Sequence, residues 1–132
     1  MIKKLALEYF FNGYSCSESI VKACIDEGLC DESLLPCATT FSSGMSSGCS
    51  CGTVTVAQLV LGYLFGRNNK FGNEIIAREK AAQLVEEFKK INKVTCCKVL
   101  SAGVEPSAKK QHCSKFVADT CDILESIVRV KV

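Results

Sequence analysis

The chain has 132 residues, 48% apolar and 23% charged, with a formal net charge of +2. That length supports one domain over residues 1–132 with a core of its own, and the charge is too small to point to nucleic acid or an anionic membrane surface. Two prolines, Pro36 and Pro106, leave long stretches free for helix.

After the basic start Met1-Ile2-Lys3-Lys4, the residues Leu5, Leu7, Tyr9, Phe10 and Phe11 predict a first helix ending near Asn12-Gly13. The start does not read as a secretory leader: Glu8 and Asn12 interrupt its apolar region, and no small-residue cleavage site follows. Ser15-Cys16-Ser17-Glu18 carries the capping-box pattern that opens a second helix. Ile20, Val21, Ala23, Cys24 and Ile25 form its apolar face, and Gly28 ends it. Asp31-Glu32-Ser33-Leu34-Leu35 predicts a short helical turn stopped by Pro36.

From Cys37 the chain enters the stretch around which the rest is organised, residues 41–56. It is a Gly/Ser-rich loop that delivers Cys49 and Cys51 to the start of an apolar segment. The segment, about residues 53–66, is apolar almost all round, which predicts a central buried helix. Its β-branched start could also read as strand, but the run is long and does not alternate. After the polar connection 67–73, an amphipathic helix is predicted to about Ile91, with Ile75, Ile76, Ala81, Leu84, Val85 and Phe88 inward. Thr95 is placed as the cap of a short helix with Cys96 and Cys97 in its first turn. Ser107 is placed as the cap of a last helix to about Arg129. The fold class is therefore all-α, a bundle of about five helices around the 53–66 segment.

Ten cysteines are the anomaly. The longest apolar run contains Gln58 and is too short to span a bilayer, so the expectation is a soluble, cytoplasmic protein with no membrane insertion. Cysteines there are kept reduced, and a cluster of them points to metal or redox chemistry rather than staples. Cys16, Cys51 and one of Cys96 or Cys97 each lie near a predicted helix start. Exposed N–H groups and the helix dipole favour an anion there, and a thiolate pKa falls in such a setting. Cys113 is available as a fourth thiol. Four thiolates suit an iron–sulfur or zinc centre, although the spacings match no short C-x₂-C run.

Cys51-Gly52-Thr53-Val54-Thr55-Val56 resembles the Cys-Gly-Ala-x-x-Gly motif of the C-GCAxxG-C-C family of redox-active proteins. Cys16 in Tyr14-Ser15-Cys16-Ser17-Glu18 is similar to the family's early cysteine, and Gly44-Met45-Ser46-Ser47-Gly48 resembles its loop. Leu61-Gly62-Tyr63-Leu64-Phe65-Gly66 resembles the close of its central helix, and Cys97 and Cys113 resemble its two later cysteines. The resemblance covers the chain from about Cys16 onward. It implies a small helical redox protein whose cofactor, an iron–sulfur cluster, is held by Cys16, Cys51, Cys97 and Cys113. Thr53 stands for the motif's Ala and Val56 for its Gly; the lost glycine bears on any close helix approach at Val56.

Cys49 and Cys96 are extra to this set and stand as additional or alternate ligands or as resolving thiols. Cys24, Cys30, Cys37 and Cys121 are assigned to core or surface. His112, the single histidine, is assigned to polar surface. No acid–base constellation and no Gly-Lys-Ser/Thr phosphate loop is present, so no catalytic residue is assigned. The reading that follows is electron transfer with a redox partner protein. Metal-free thiol–disulfide chemistry and a non-catalytic zinc or other metal-binding role are the alternatives, and self-association stays open.

Overall fold

In a computed structural model, residues 2–129 are described, and among them lie seven α-helices and no strand. Helix α1 (Ile2–Phe10) buries Ile2, Ala6 and Phe10, one stripe at i, i+4 spacing. Helix α2 (Cys16–Asp26) starts as expected. Ser15 Oγ accepts from Glu18 N at 3.3 Å, and Glu18 Oε1 accepts from Ser15 N at 3.0 Å. Two serines on its buried side are satisfied internally, Ser17 by the Ala38 carbonyl at 2.7 Å and Ser19 by the Ser15 carbonyl at 2.6 Å.

Helix α3 (Leu34–Ala38) corrects the expected stop at Pro36. Pro36 lies in its first turn, where the missing N–H has no helical partner to lose. Helix α4 (Gly52–Phe65) packs against α2 and also against α5 (Ile75–Asn92) and α7 (Lys109–Arg129). Val54, Val56, Ala57, Val60 and Leu61 are buried, and in the last turn Tyr63 is 54% exposed while Leu64 and Phe65 stay packed against the core. Gln58 Nε2 donates to the Ala81 carbonyl at 2.8 Å and ties α4 to α5.

In α5 the inward placement of Ile75 and Ile76 is corrected: they are 59% and 55% exposed. The inward stripe runs through Ala77, Ala81, Leu84 and Phe88, at steps of three and four, and the two isoleucines fall off it. Phe88 is fully buried, worth about 1.5–3 kcal/mol in apolar burial. Short α6 (Cys97–Leu100) is preceded by Cys96, not Thr95, at its N-cap. A 3₁₀ turn, Pro106–Ala108, precedes α7, so Ser107 is not the cap of that helix. Helix α7 buries Phe116, Val117, Thr120, Cys121, Ile123, Leu124, Ile127 and Val128. The buried side chains of α1, α2, α4, α5 and α7 form one cluster. The loop before α4, α6 and the first turns of α7 meet around one pocket, and four of the ten cysteines lie there.

Candidate functional site

The capping box fixes where α2 begins and so places Cys16 as its first residue. The backbone N–H of Ser43 faces the Cys16 sulfur. Ser43 opens an unusual run. Residues 43–46 all have left-handed φ, at 54°, 61°, 61° and 56°, and three of the four are not glycine. Each such non-glycine residue costs about 1–2 kcal/mol, so the turn persists only because its surroundings hold it. Gly44 is required twice over, by its φ and by space. A Cβ there would stand 2.6 Å from Cys49 N and 2.8 Å from Cys97 Cβ. Its carbonyl accepts from Cys49 N at 3.0 Å and closes the turn.

Beyond the turn, Ser50 pairs with Cys96 in an isolated antiparallel bridge. Cys51 N donates to the Thr95 carbonyl at 2.6 Å, and Cys97 N donates to the Cys49 carbonyl at 2.5 Å. This two-sided clamp holds the segment before α4 against the start of α6. The Thr95 carbonyl, rather than its side chain, is what the fold uses.

Cys51 is the N-cap residue of α4, 6% exposed, and its side chain makes no capping hydrogen bond. Thr53 Oγ1 lies 3.1 Å from its sulfur. Thr120 on α7 donates to the same Thr53 oxygen at 2.9 Å. Gly52 follows Cys51 directly, and its role is close approach. A Cβ there would stand 2.6 Å from the Phe41 carbonyl oxygen and 3.0 Å from Cys16 Sγ.

Cys16, Cys51, Cys97 and Cys113 all line one pocket of about 310 Å³. Three come from the starts of α2, α4 and α6, and Cys113 from the second turn of α7. Phe10, Leu100 and Phe116 give the pocket apolar walls, and Lys109 and Lys110 stand on its lining. Lys110 is anchored over the Phe10 ring at 4.3 Å and donates to the Tyr14 carbonyl at 3.0 Å. His112 lies outside the pocket lining. Its Nε2 is 2.8 Å from the Leu100 carbonyl, and its ring stands edge-on to Phe116.

Electrostatics correct one expectation. The helix-start position does not by itself give Cys51 a low pKa. Burial pushes the thiol up, and the Thr53 hydroxyl with the Thr53 and Val54 N–H groups offsets this only in part. Burial pushes Cys16 up to about 12, with the sulfurs of Cys51, Cys113 and Cys97 adding to the shift against the Ser43 N–H. Cys113 is raised by burial and by Cys51 and Cys97, against the pull of Lys109. The sulfurs therefore sense one another, and four bare thiolates would be costly here.

The extra cysteines fall elsewhere. Cys49 is exposed and Cys96 donates to the Gly48 carbonyl at 3.3 Å; neither lines the pocket. Cys24, Cys30 and Cys121 are buried in the core, and Cys37 is exposed with its thiol on the Ser33 carbonyl at 3.6 Å. All ten thiols are free. Among the described residues, no three His, Cys, Asp or Glu side chains are already arranged to hold a metal ion. The four thiols thus share a pocket without meeting at one point.

Sequence reasoning passed over Thr53 and Thr120, the left-handed turn and the two lysines. The signal for Thr53 was a hydroxyl two residues after Cys51, at the head of an apolar helix. For Thr120 it was a hydroxyl inside the apolar stripe of α7.

The family model described as "Putative redox-active protein (C_GCAxxG_C_C)" matches residues 14–127, and the chain belongs to that family. The match spans all four pocket cysteines. Read letter by letter, the motif sets a glycine before its cysteine, as Gly48 precedes Cys49, yet Cys51 lines the pocket and Cys49 does not. No curated protein and no solved structure matches the chain.

Proposed function

We propose that this chain binds an iron–sulfur cluster through Cys16, Cys51, Cys97 and Cys113 and carries electrons to or from a partner protein in the cytoplasm. The observation that carries the reading is the shared pocket: four cysteines from four separate helices line it, while the other six lie outside. The donor set fits. Four soft thiolates suit iron–sulfur or zinc. A structural zinc site is closed around one ion. The volume of about 310 Å³ is far larger than the roughly 10–15 Å³ that one water-sized sphere occupies, and so larger than one ion needs.

A bound cluster supplies reversible one-electron chemistry. The chain's own residues do the rest. The four thiols give up their protons on loading, and Lys109 and Lys110 offset part of the negative charge. The N–H groups of Ser43, Thr53 and Val54 favour charge on sulfur at Cys16 and Cys51. Phe10, Leu100 and Phe116 keep water from the pocket walls. Metal-free thiol–disulfide exchange is the weaker reading, because burial holds Cys16, Cys51 and Cys113 as neutral thiols, and the nucleophile is the thiolate. No helix among the described residues is long and apolar enough to cross a membrane.

The test is purification without oxygen, with visible absorption and with iron and acid-labile sulfide counted per chain. A brown protein carrying both supports the proposal. A colourless protein with a two-electron thiol titration favours exchange, and stoichiometric zinc without a redox response favours a structural metal; either overturns it.

A further inference from the structure

We infer that Thr53, backed by Thr120, is a positioning residue that donates an O–H hydrogen bond to the Cys51 sulfur and raises the reduction potential of the pocket. The potential rests on the iron–sulfur reading; the hydrogen bond itself does not.

The proton count fixes the direction. Thr53 Oγ1 is 3.1 Å from Cys51 Sγ and accepts the Thr120 hydroxyl at 2.9 Å. A hydroxyl has one proton and two lone pairs. Thr120 has spent its proton on the Thr53 oxygen, so the Thr53 proton is free for the sulfur. Once Cys51 is a thiolate or a ligand, it has no proton to give, and between sulfur and hydroxyl only the Thr53 hydroxyl can donate. Thr120 then polarises that donor and strengthens it.

Burial makes the arrangement consequential. Thr53 and Thr120 are both 0% exposed, so no water competes for the bond. A buried hydroxyl costs desolvation unless its hydrogen bonds return it. A core that only needed to join α4 to α7 would be served by two valines of like shape. Thr120 also lies seven residues after Cys113 on α7, two turns along the same face. One helix therefore presents both a pocket thiol and the support for the Cys51 donor.

A donor to a ligand sulfur stabilises the reduced state, which carries more negative charge, and so raises the potential. Two measurements test this on Thr53→Val, Thr53→Ser and Thr120→Val. The first is the midpoint potential of the iron-loaded protein. In Thr53→Val it falls, with the oxidised-to-reduced ratio at fixed potential shifting about tenfold, which is about 59 mV for one electron. Thr53→Ser stays near the parent, and Thr120→Val falls by less. The second is the rate at which iodoacetamide alkylates Cys51 in the metal-free protein at one pH, read by mass spectrometry. It slows in Thr53→Val and Thr120→Val and is rescued in Thr53→Ser.

If the parent holds no iron but alkylation follows this order, the hydrogen bond stands and the cluster reading falls. If folded Thr53→Val keeps both the parental potential and the parental alkylation rate, the inference is wrong. Should Thr53→Val not fold, Thr120→Val decides by the same two readouts.

Discussion

Gly52 lies against Cys16: a Cβ on the glycine would sit 3.0 Å from the cysteine sulfur and 2.6 Å from the Phe41 carbonyl oxygen. Gly52 is therefore the floor on which the first pocket thiol rests. Gly52→Ala offers a better helix former, worth up to about 1 kcal/mol. The backbone carbonyl in its way cannot yield as a flexible side chain would, and such overpacking costs about 1–3 kcal/mol. The expected outcome is a lower urea midpoint and a loss of bound iron larger than the stability change explains, since Cys16 must move. Unchanged stability and unchanged iron content would show that the floor is soft.

The capping box makes a second prediction on the same thiol. Ser15→Ala removes the oxygen that accepts Glu18 N and frays the turn that begins with Cys16. The loss should be about 1 kcal/mol in urea unfolding. It should also appear as faster alkylation of Cys16 but not of Cys121, which lies in the middle of α7. A uniform change at both thiols would place the effect in global unfolding instead.

How far the sequence reached is clear from these residues. The all-α fold, the α2 capping box and the start of α4 followed from local signals: a polar cap, a matched Glu three residues on, and a long apolar run. Cys16, Cys51 and one of Cys96 or Cys97 were chosen by the same logic, because each stands near a helix start, whereas Cys113, and Cys97 over Cys96, came from the family resemblance. What failed were positions set by tertiary contact. Ile75 and Ile76 are apolar yet exposed, because the stripe of α5 that meets α4 runs through Ala77 and Ala81. The pKa of Cys51 was misjudged because the helix start was weighed without burial. The left-handed turn at residues 43–46 has no local signature, since two serines and a methionine do not ask for that backbone; the contacts of Gly44 with Cys49 and Cys97 hold it.

Stability should fall at both ends of the pH scale. The Thr39 hydroxyl, at 2.7 Å, and the Ser15 N–H hold the Glu18 carboxyl below its ordinary value. A depressed folded pKa gives stability that is present above the unfolded value of about 4.3 and lost as pH falls through the folded one. Glu18→Gln should therefore be less stable than the parent at pH 7, with the gap closing in acid. At the alkaline end, burial pushes Cys121 up to about 12 and raises Cys24 as well. A raised folded pKa gives stability that is complete below the unfolded value of about 8.5 and lost as pH rises toward the folded one. Urea midpoints of the reduced, metal-free protein should drop above that value, and less steeply in Cys121→Ala. Parallel slopes for parent and Cys121→Ala would remove Cys121 from the account.

The sharpest contrast is Cys51→Ser against Cys121→Ser, purified side by side without oxygen. Both cysteines are buried, Cys51 at 6% exposure and Cys121 at 0%. A serine at position 121 can return its hydroxyl to the helix carbonyl one turn back, so the variant should lose little and keep the parent's iron. A serine at position 51 occupies the N-cap of α4, where its oxygen can take over the Thr53 and Val54 N–H groups that the sulfur faces, and serine is among the preferred residues there. The metal-free Cys51→Ser protein should therefore be as stable as the parent, or more so by up to about 1 kcal/mol. Its iron and sulfide content should nonetheless collapse, because the lost atom is a ligand rather than a packing group. Stability and cofactor content moving in opposite directions is an outcome that a structural Cys51 cannot produce. Parental iron in Cys51→Ser, or equal iron in the two variants, would leave Cys51 as an ordinary buried thiol.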